Sequence, residues 1–192
     1  MNSSEIIKRG FDLLLVIIAL LPVALCAGII AIVVRLTSAG PALFWSRRIG
    51  QHGHEFLMPK FRTMRTDTPQ LATHLMIDPE KWLTPIGSFL RKSSLDELPQ
   101  LYSVLKGDMS LVGPRPALFN QNDLIDARTK AKVDVLKPGV TGLAQISGRD
   151  ELAISEKVKF DINYLESRST LLDLKIILAT IVKVISRNGV IH

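Results

Sequence analysis

Leu, Ile, Val and Ala fill nearly all of the stretch from Leu13 to Val34, and no charge interrupts it. At about 1.5 Å rise per residue it is long enough to cross a hydrocarbon core of roughly 30 Å. A spanning helix, a re-entrant helix and a buried core helix all fit this pattern. A signal peptide fits less well, because the apolar run is too long and no clear small-x-small cleavage site is followed by a polar mature sequence. Pro22, near the middle, removes a backbone hydrogen bond and bends the helix. Basic residues flank both ends: Lys8 and Arg9 before, Arg35, Arg47 and Arg48 after. The positive-inside rule assigns each such end to the cytoplasm. A helix that enters, bends at Pro22 and returns satisfies both flanks. A kinked spanning helix is the alternative, since Pro is tolerated in such helices.

From Pro41 the pattern changes to two short β-like runs around the turn Ile49-Gly50-Gln51-His52-Gly53, which predicts a hairpin. Thr66 to Pro85 is polar and proline-punctuated and reads as a loop with one helical turn, a segment suited to a lid. A short apolar helix follows Asp96 and Glu97. It stops at Gly107-Asp108, ahead of a rigid Gly113-Pro114-Arg115-Pro116 corner. Asn120 to Val135 is a mixed-charge helix closed by Lys137-Pro138-Gly139. Val140 to Arg149 is punctuated by glycine: either a loop with local hydrogen bonds or a wrap around a ligand. Glu151 to Glu166 predicts a helix. Leu171 to Val184 predicts an apolar one that charges interrupt too often for spanning; it packs on the domain or lies in the membrane interface. The expected fold is α/β, mostly helical. Residues 1–36 form the membrane helix and residues 37–192 an interfacial catalytic domain on the cytoplasmic side.

Charge sharpens this picture. The net charge is +6 and the pI near 9.6, yet mean hydropathy is positive at +0.24. A basic and apolar chain suits an anionic membrane surface. Aromatic residues make up only 6% and are not interleaved with basic ones, so nucleic acid is not an expected partner. The one cysteine, Cys26, excludes an internal disulfide and a cysteine metal site. His52, His54 and His74 lack metal-ligand spacing. Trp45 fits a headgroup-level position and ordinary core packing equally well.

The candidate chemistry centres on Asp96 and Glu97. Ser94-Leu95-Asp96-Glu97 matches a capping box, so the acids have a plain role in starting a helix. Pro99 and the doubled acids depart from that role. At a helix N-terminus a carboxylate stays ionised at neutral pH and can attack phosphorus or hold Mg2+. Arg91 lies five residues earlier, and Arg115 is restrained between two prolines, which suits bidentate phosphate binding. Lys60, Arg62 and Arg65 form either a solvated basic face or a phosphate-facing patch. Together these groups suit phosphoryl transfer. A membrane-anchored scaffold for anionic partners and a phosphohydrolase with an Asp nucleophile are the alternatives.

The run LDELPQLYSVLKGDMSLVGPRP, with KFRTM upstream and KPGVTGLAQISGR downstream, resembles the bacterial sugar transferase family, the monotopic polyprenol-phosphate phosphoglycosyl transferases. The resemblance runs along essentially the whole chain, which has the length of minimal members without extra N-terminal spans. It implies a re-entrant membrane helix at the bacterial inner membrane. It also implies transfer of a sugar-1-phosphate from a UDP-sugar, of the N-acetylated hexosamine type, to polyprenyl phosphate, with Mg2+ and release of UMP. Such a reaction is the first membrane step in building a glycoconjugate. Asp96 would be the nucleophile and form an aspartyl phosphosugar. Glu97 would share metal binding or handle the proton. Arg91, Arg115 and Lys60 match phosphate-binding positions, and Gln145 and Arg149 fall where nucleotide contact is expected. The family's membrane kink is often Ser-Pro. Here it is Leu21-Pro22, so no hydroxyl is present to satisfy the freed backbone groups.

Overall fold

A computed structural model describes residues 3–68, 78–148 and 152–186. Helix α1 (Ser3–Thr37) is 35 residues long and carries Pro22 inside it. Strands β1 (Leu43–Ile49) and β2 (Glu55–Phe61) form the expected antiparallel hairpin, with Phe44 opposite Lys60 and Ile49 opposite Glu55. Helix α2 (Gly87–Lys92), a 3-10 turn at Leu95–Glu97 and helix α3 (Gln100–Lys106) carry the acids. Strands β3 (Ser110–Val112) and β4 (Ala117–Leu118) flank the proline corner. Helix α4 (Asn122–Lys130), strand β5 (Gly139–Thr141) and helices α5 (Leu143–Ser147), α6 (Ile154–Ser167) and α7 (Thr170–Ser186) complete the chain.

Two pairings were not expected from the sequence. Strand β4 adds to β1, giving the order β2-β1-β4, and β3 pairs in parallel with β5. The second pairing corrects the reading of Val140–Arg149 as a glycine loop: its start is strand and most of the rest is α5. Glycine serves close approach here. A Cβ on Gly139 would stand 2.1 Å from the Gly113 nitrogen, and one on Gly142 would stand 2.2 Å from the Gly113 oxygen. The predicted helix at 120–135 is shorter, ending in a separate 3-10 turn at Val133–Val135. Among the described residues between Thr66 and Pro85 lies a 3-10 turn, Pro79–Trp82.

Helix α1 packs on the rest of the chain at both ends. Near its start, Val16 joins Met58, Val104 and Met109 in one apolar cluster. Near its end, Ile30 and Val34 join Phe61 and Leu90 in another. Leu20, Leu21, Leu25 and Ile29, between the two clusters, are exposed. Glu5–Thr37 is long and apolar enough to cross a membrane. Helix α7 divides the same way around its axis. Asp173 and Ile176 are buried, with Ile176 packed among Val112, Leu136 and Tyr164, and Thr180 bonds to Thr141. Leu171, Leu174, Leu178 and Ile181 form an exposed stripe at helical spacing. So α7 packs on the domain with one face and leaves the other apolar and uncovered.

A charged cluster ties the start of α1 to this body. Lys8 Nζ lies 2.7 Å from Asp173 Oδ2 and 3.5 Å from Asp12 Oδ1. The Ser110 hydroxyl donates to Asp12 at 2.7 Å, and the Tyr164 hydroxyl donates to Asp173 at 2.7 Å. Arg9 donates to the carbonyls of Val104 and Leu105, the last turn of α3, with Nη2 to Leu105 at 2.9 Å. Helix α3 ends at Gly107, whose φ of 99° is open to glycine at little cost.

Candidate active site

The acids stand on a turn that the sequence orients from below. In a 3-10 turn, residues three apart face the same way. Leu95 and Leu98 both pack against the cluster of Ile30, Val34, Phe61 and Leu90, so α1 and β2 form the floor under the turn. Asp96 and Glu97, between the two leucines, are turned toward the basic groups. Ser94 enters the turn at φ 56° with no side-chain cap hydrogen bond, and Pro99 occupies the N-cap of α3. The capping-box expectation is therefore corrected: the acids precede α3 on a turn of their own. Pro99 falls where its missing N–H is harmless.

Lys60, Asp96, Glu97 and Arg115 meet in one place. Lys60 Nζ is 2.8 Å from Glu97 Oε1 and 4.0 Å from Asp96 Oδ2. Arg115 Nη2 reaches the same Glu97 oxygen at 3.2 Å. Arg91 donates from Nε to Thr63 Oγ1 at 3.0 Å, and its charge acts on Asp96. Thr63 is a supporting residue that lay inside the KFRTM run without being singled out. The basic cluster splits: only Lys60 faces the acids. Arg62 is buried and donates to Ser38 and Pro41, closing the connection from α1 to β1, while Arg65 is exposed against Asp67.

Asp96 is only 8% exposed, yet its carboxylate accepts no hydrogen bond among the described residues. Burial pushes it up to about 6; Lys60 pulls it down, Glu97 pushes it up, and Arg91 and Arg115 pull it down. The expectation that a helix N-terminus keeps this acid ionised is corrected. Nearby cations offset burial, and a pKa near 6 still leaves mostly carboxylate at pH 7.

The corner that presents Arg115 is held from several elements. Gly113 N–H donates to Thr141 O at 2.9 Å, and Gly139 N–H donates to Pro114 O at 2.9 Å. Gln145 is buried on α5 beside Gly142, and neither polar atom of its amide has a hydrogen-bond partner among the described residues. No contact among the described residues joins it to the acids. Arg149 lies outside the described residues, as does His74.

Among the described residues no group of three or more His, Cys, Asp or Glu could hold a metal ion. Asp96 and Glu97 alone provide two adjacent carboxylates. That donor set fits Mg2+ of the kind bound by one or two carboxylates together with substrate phosphates.

The bacterial sugar transferase family model matches residues 3–187. The chain is 43% identical over 185 residues to the uncharacterized sugar transferase EpsL of Bacillus subtilis, covering 96% of this chain and 90% of that protein. It is 38% identical to the UDP-glucose:undecaprenyl-phosphate glucose-1-phosphate transferase of Xanthomonas campestris pv. campestris, over 97% of this chain and 40% of that one. It is 36% identical to the undecaprenyl-phosphate galactose phosphotransferase of Salmonella typhimurium, over 98% of this chain and 42% of that one. The chain thus spans less than half of the two named phosphotransferases and nine-tenths of EpsL. Glucose and galactose appear in these names; an N-acetylated hexosamine, expected from the sequence, does not. The match from the start of α1 to the end of α7 establishes that the chain belongs to the bacterial sugar transferase family.

Proposed function

We propose that this protein moves a sugar-1-phosphate from a UDP-sugar to membrane polyprenyl phosphate, through a covalent intermediate on Asp96. The observation that carries the proposal is the Asp96 carboxylate: nearly buried, without a hydrogen bond among the described residues, and within the field of Lys60, Arg91 and Arg115. A carboxylate so placed is desolvated and nucleophilic, and the cations beside it suit the charge of a diphosphate.

Asp96 attacks the sugar-bearing phosphorus. The bond from that phosphorus to the bridging oxygen breaks, and UMP leaves with the electron pair. An oxygen of polyprenyl phosphate then attacks the same phosphorus, and the aspartyl bond breaks to restore the carboxylate. The products are polyprenyl-diphosphate sugar and UMP. Lys60 and Arg115 both hold Glu97 in the resting site and are placed to accept the donor's phosphates. Mg2+, held by Asp96 and Glu97 with the phosphates, would neutralise charge on the diphosphate. A hexose donor, glucose or galactose, has the support of the relatives' names.

A lipid acceptor requires the site to meet the bilayer. Lys8 and Arg9 at one end of α1, and Ile30 and Val34 near the other, dock on one body, while the middle is apolar and exposed. That arrangement supports re-entry from the cytoplasmic face, with the exposed stripe of α7 lying in the interface.

The test is intact-mass analysis after incubation with UDP-glucose or UDP-galactose and Mg2+. A sugar-phosphate adduct is expected on the peptide containing Asp96, discharged by polyprenyl phosphate. EDTA is expected to abolish UMP release, and excess Mg2+ to restore it. An adduct elsewhere, or turnover without one, refutes Asp96 as nucleophile. Release of sugar phosphate to water without the lipid would instead indicate a phosphohydrolase.

A further inference from the structure

Three successive carbonyls at the proline corner each receive a donor from a different part of the chain. Pro114 O accepts from Gly139 N–H at 2.9 Å, Arg115 O from Arg128 Nη1 at 2.7 Å, and Pro116 O from Arg48 Nη1 at 3.1 Å. Pro114 and Pro116 have no N–H to give, so the corner cannot hold itself in a regular ladder. Its shape depends on the groups that grip its carbonyls. The middle grip acts on the backbone of Arg115, whose guanidinium reaches Glu97.

Arg128 is itself fixed on the other side. Its Nε and Nη2 both meet Asp161 Oδ2, at 2.9 Å and 2.8 Å. The side chains are 11% and 3% exposed. Helices α4 and α6, which carry them, share an apolar cluster of Leu124, Val158 and Ala117. A buried ion pair is by itself weak support for stability. The planar guanidinium does more than pair: it offers one edge to the carboxylate and another N–H to the Arg115 carbonyl. A lysine has one compact ammonium and no such fork.

We propose that Arg128, anchored by Asp161, is a positioning residue for Arg115. It sets the backbone of Arg115, and so the height of that guanidinium over Glu97 and the donor's phosphates. The catalytic part of this inference rests on the function proposed above; the positioning part does not.

The test uses the full chain in nanodiscs. Arg128→Lys keeps the charge opposite Asp161 and removes the fork. Hydrogen exchange at the amides of Gly113, Arg115, Ala117 and Leu118 is expected to quicken, with the rest of the domain unchanged. Because small displacements at a reacting site are costly, kcat/KM for the UDP-sugar is expected to fall by about tenfold or more. In an Arg115→Ala background the same change is expected to cost almost nothing further, because Arg128 acts through Arg115. A purely structural role predicts an equal loss in both backgrounds. Unchanged exchange at the corner, or equal losses, overturns the proposal. If Arg128→Lys fails to fold, the charge-free pair Arg128→Gln with Asp161→Asn is measured in its place, with the same outcomes expected. If the unaltered protein transfers no sugar phosphate, the functional reading fails and the exchange result alone decides the positioning.

Discussion

Two clusters of buried acids lie on the same body and differ in how their oxygens are used. At the start of α1, Asp12 and Asp173 are each 2% exposed, and each has a neutral hydroxyl donor at 2.7 Å as well as Lys8. At the 3-10 turn, Asp96 is 8% exposed and has cations near it but no hydrogen bond among the described residues. The first arrangement is what burial requires of a carboxylate that only has to stay put. The second leaves lone pairs available, which is what a nucleophile needs. The difference supports the proposed chemistry at the Asp96 cluster and attachment at the other.

The comparison breaks first at Asp96. Asp96→Asn is expected to lower UMP release by about 10^3-fold or more, with membrane association and thermal unfolding unchanged. Retained turnover would put the two clusters on an equal footing. A pH profile sharpens the same point. Burial raises the Asp96 carboxyl to about 6, so protonation removes the nucleophile as pH falls through that value. kcat/KM is expected to drop about tenfold per unit below pH 6 and to level off above 7. A limb centred near 4 would contradict a desolvated carboxylate.

The attachment cluster should fail in stability and not in chemistry. Asp173→Ala leaves the Tyr164 hydroxyl with the longer bond to the Val112 carbonyl and Lys8 with the longer pair to Asp12. Lys8 is 25% exposed, so the cost is expected at about 2 kcal/mol, below that of a fully buried pair. Thermal unfolding reads it, with UMP release per folded molecule nearly unchanged. Gly107→Ala, at φ 99° where α3 meets Arg9, is expected to cost about 1 kcal/mol by the same measurement.

Much of the candidate site is legible along the chain. Asp96 and Glu97 are adjacent, Arg115 is framed by prolines, and the hairpin that delivers Lys60 follows from its turn residues. What the sequence withholds is what only distant pairing decides. Lys8 and Asp173 are 165 positions apart, so their contact leaves no local trace. The β3–β5 pairing was hidden because each strand is three residues long and glycine stood where a loop was expected. Ser94 misled because Ser-x-x-Glu carries the composition of a cap, while the backbone at Ser94 is left-handed. Arg128 looked like one charge on a polar helix, and its grip on Arg115 depends on α6 arriving beside α4.

The leucines on either side of the acids rest on the membrane helix itself. That helix therefore works as a depth gauge: wherever a bilayer holds its exposed middle, Leu20 to Ile29, the Asp96 carboxylate keeps a set distance from that level through Ile30 and Val34. A version trimmed of its first 36 residues for solubility would lose the surface under Leu95 and Leu98, so keeping Asp96 in place in water means keeping the greasiest part of the chain.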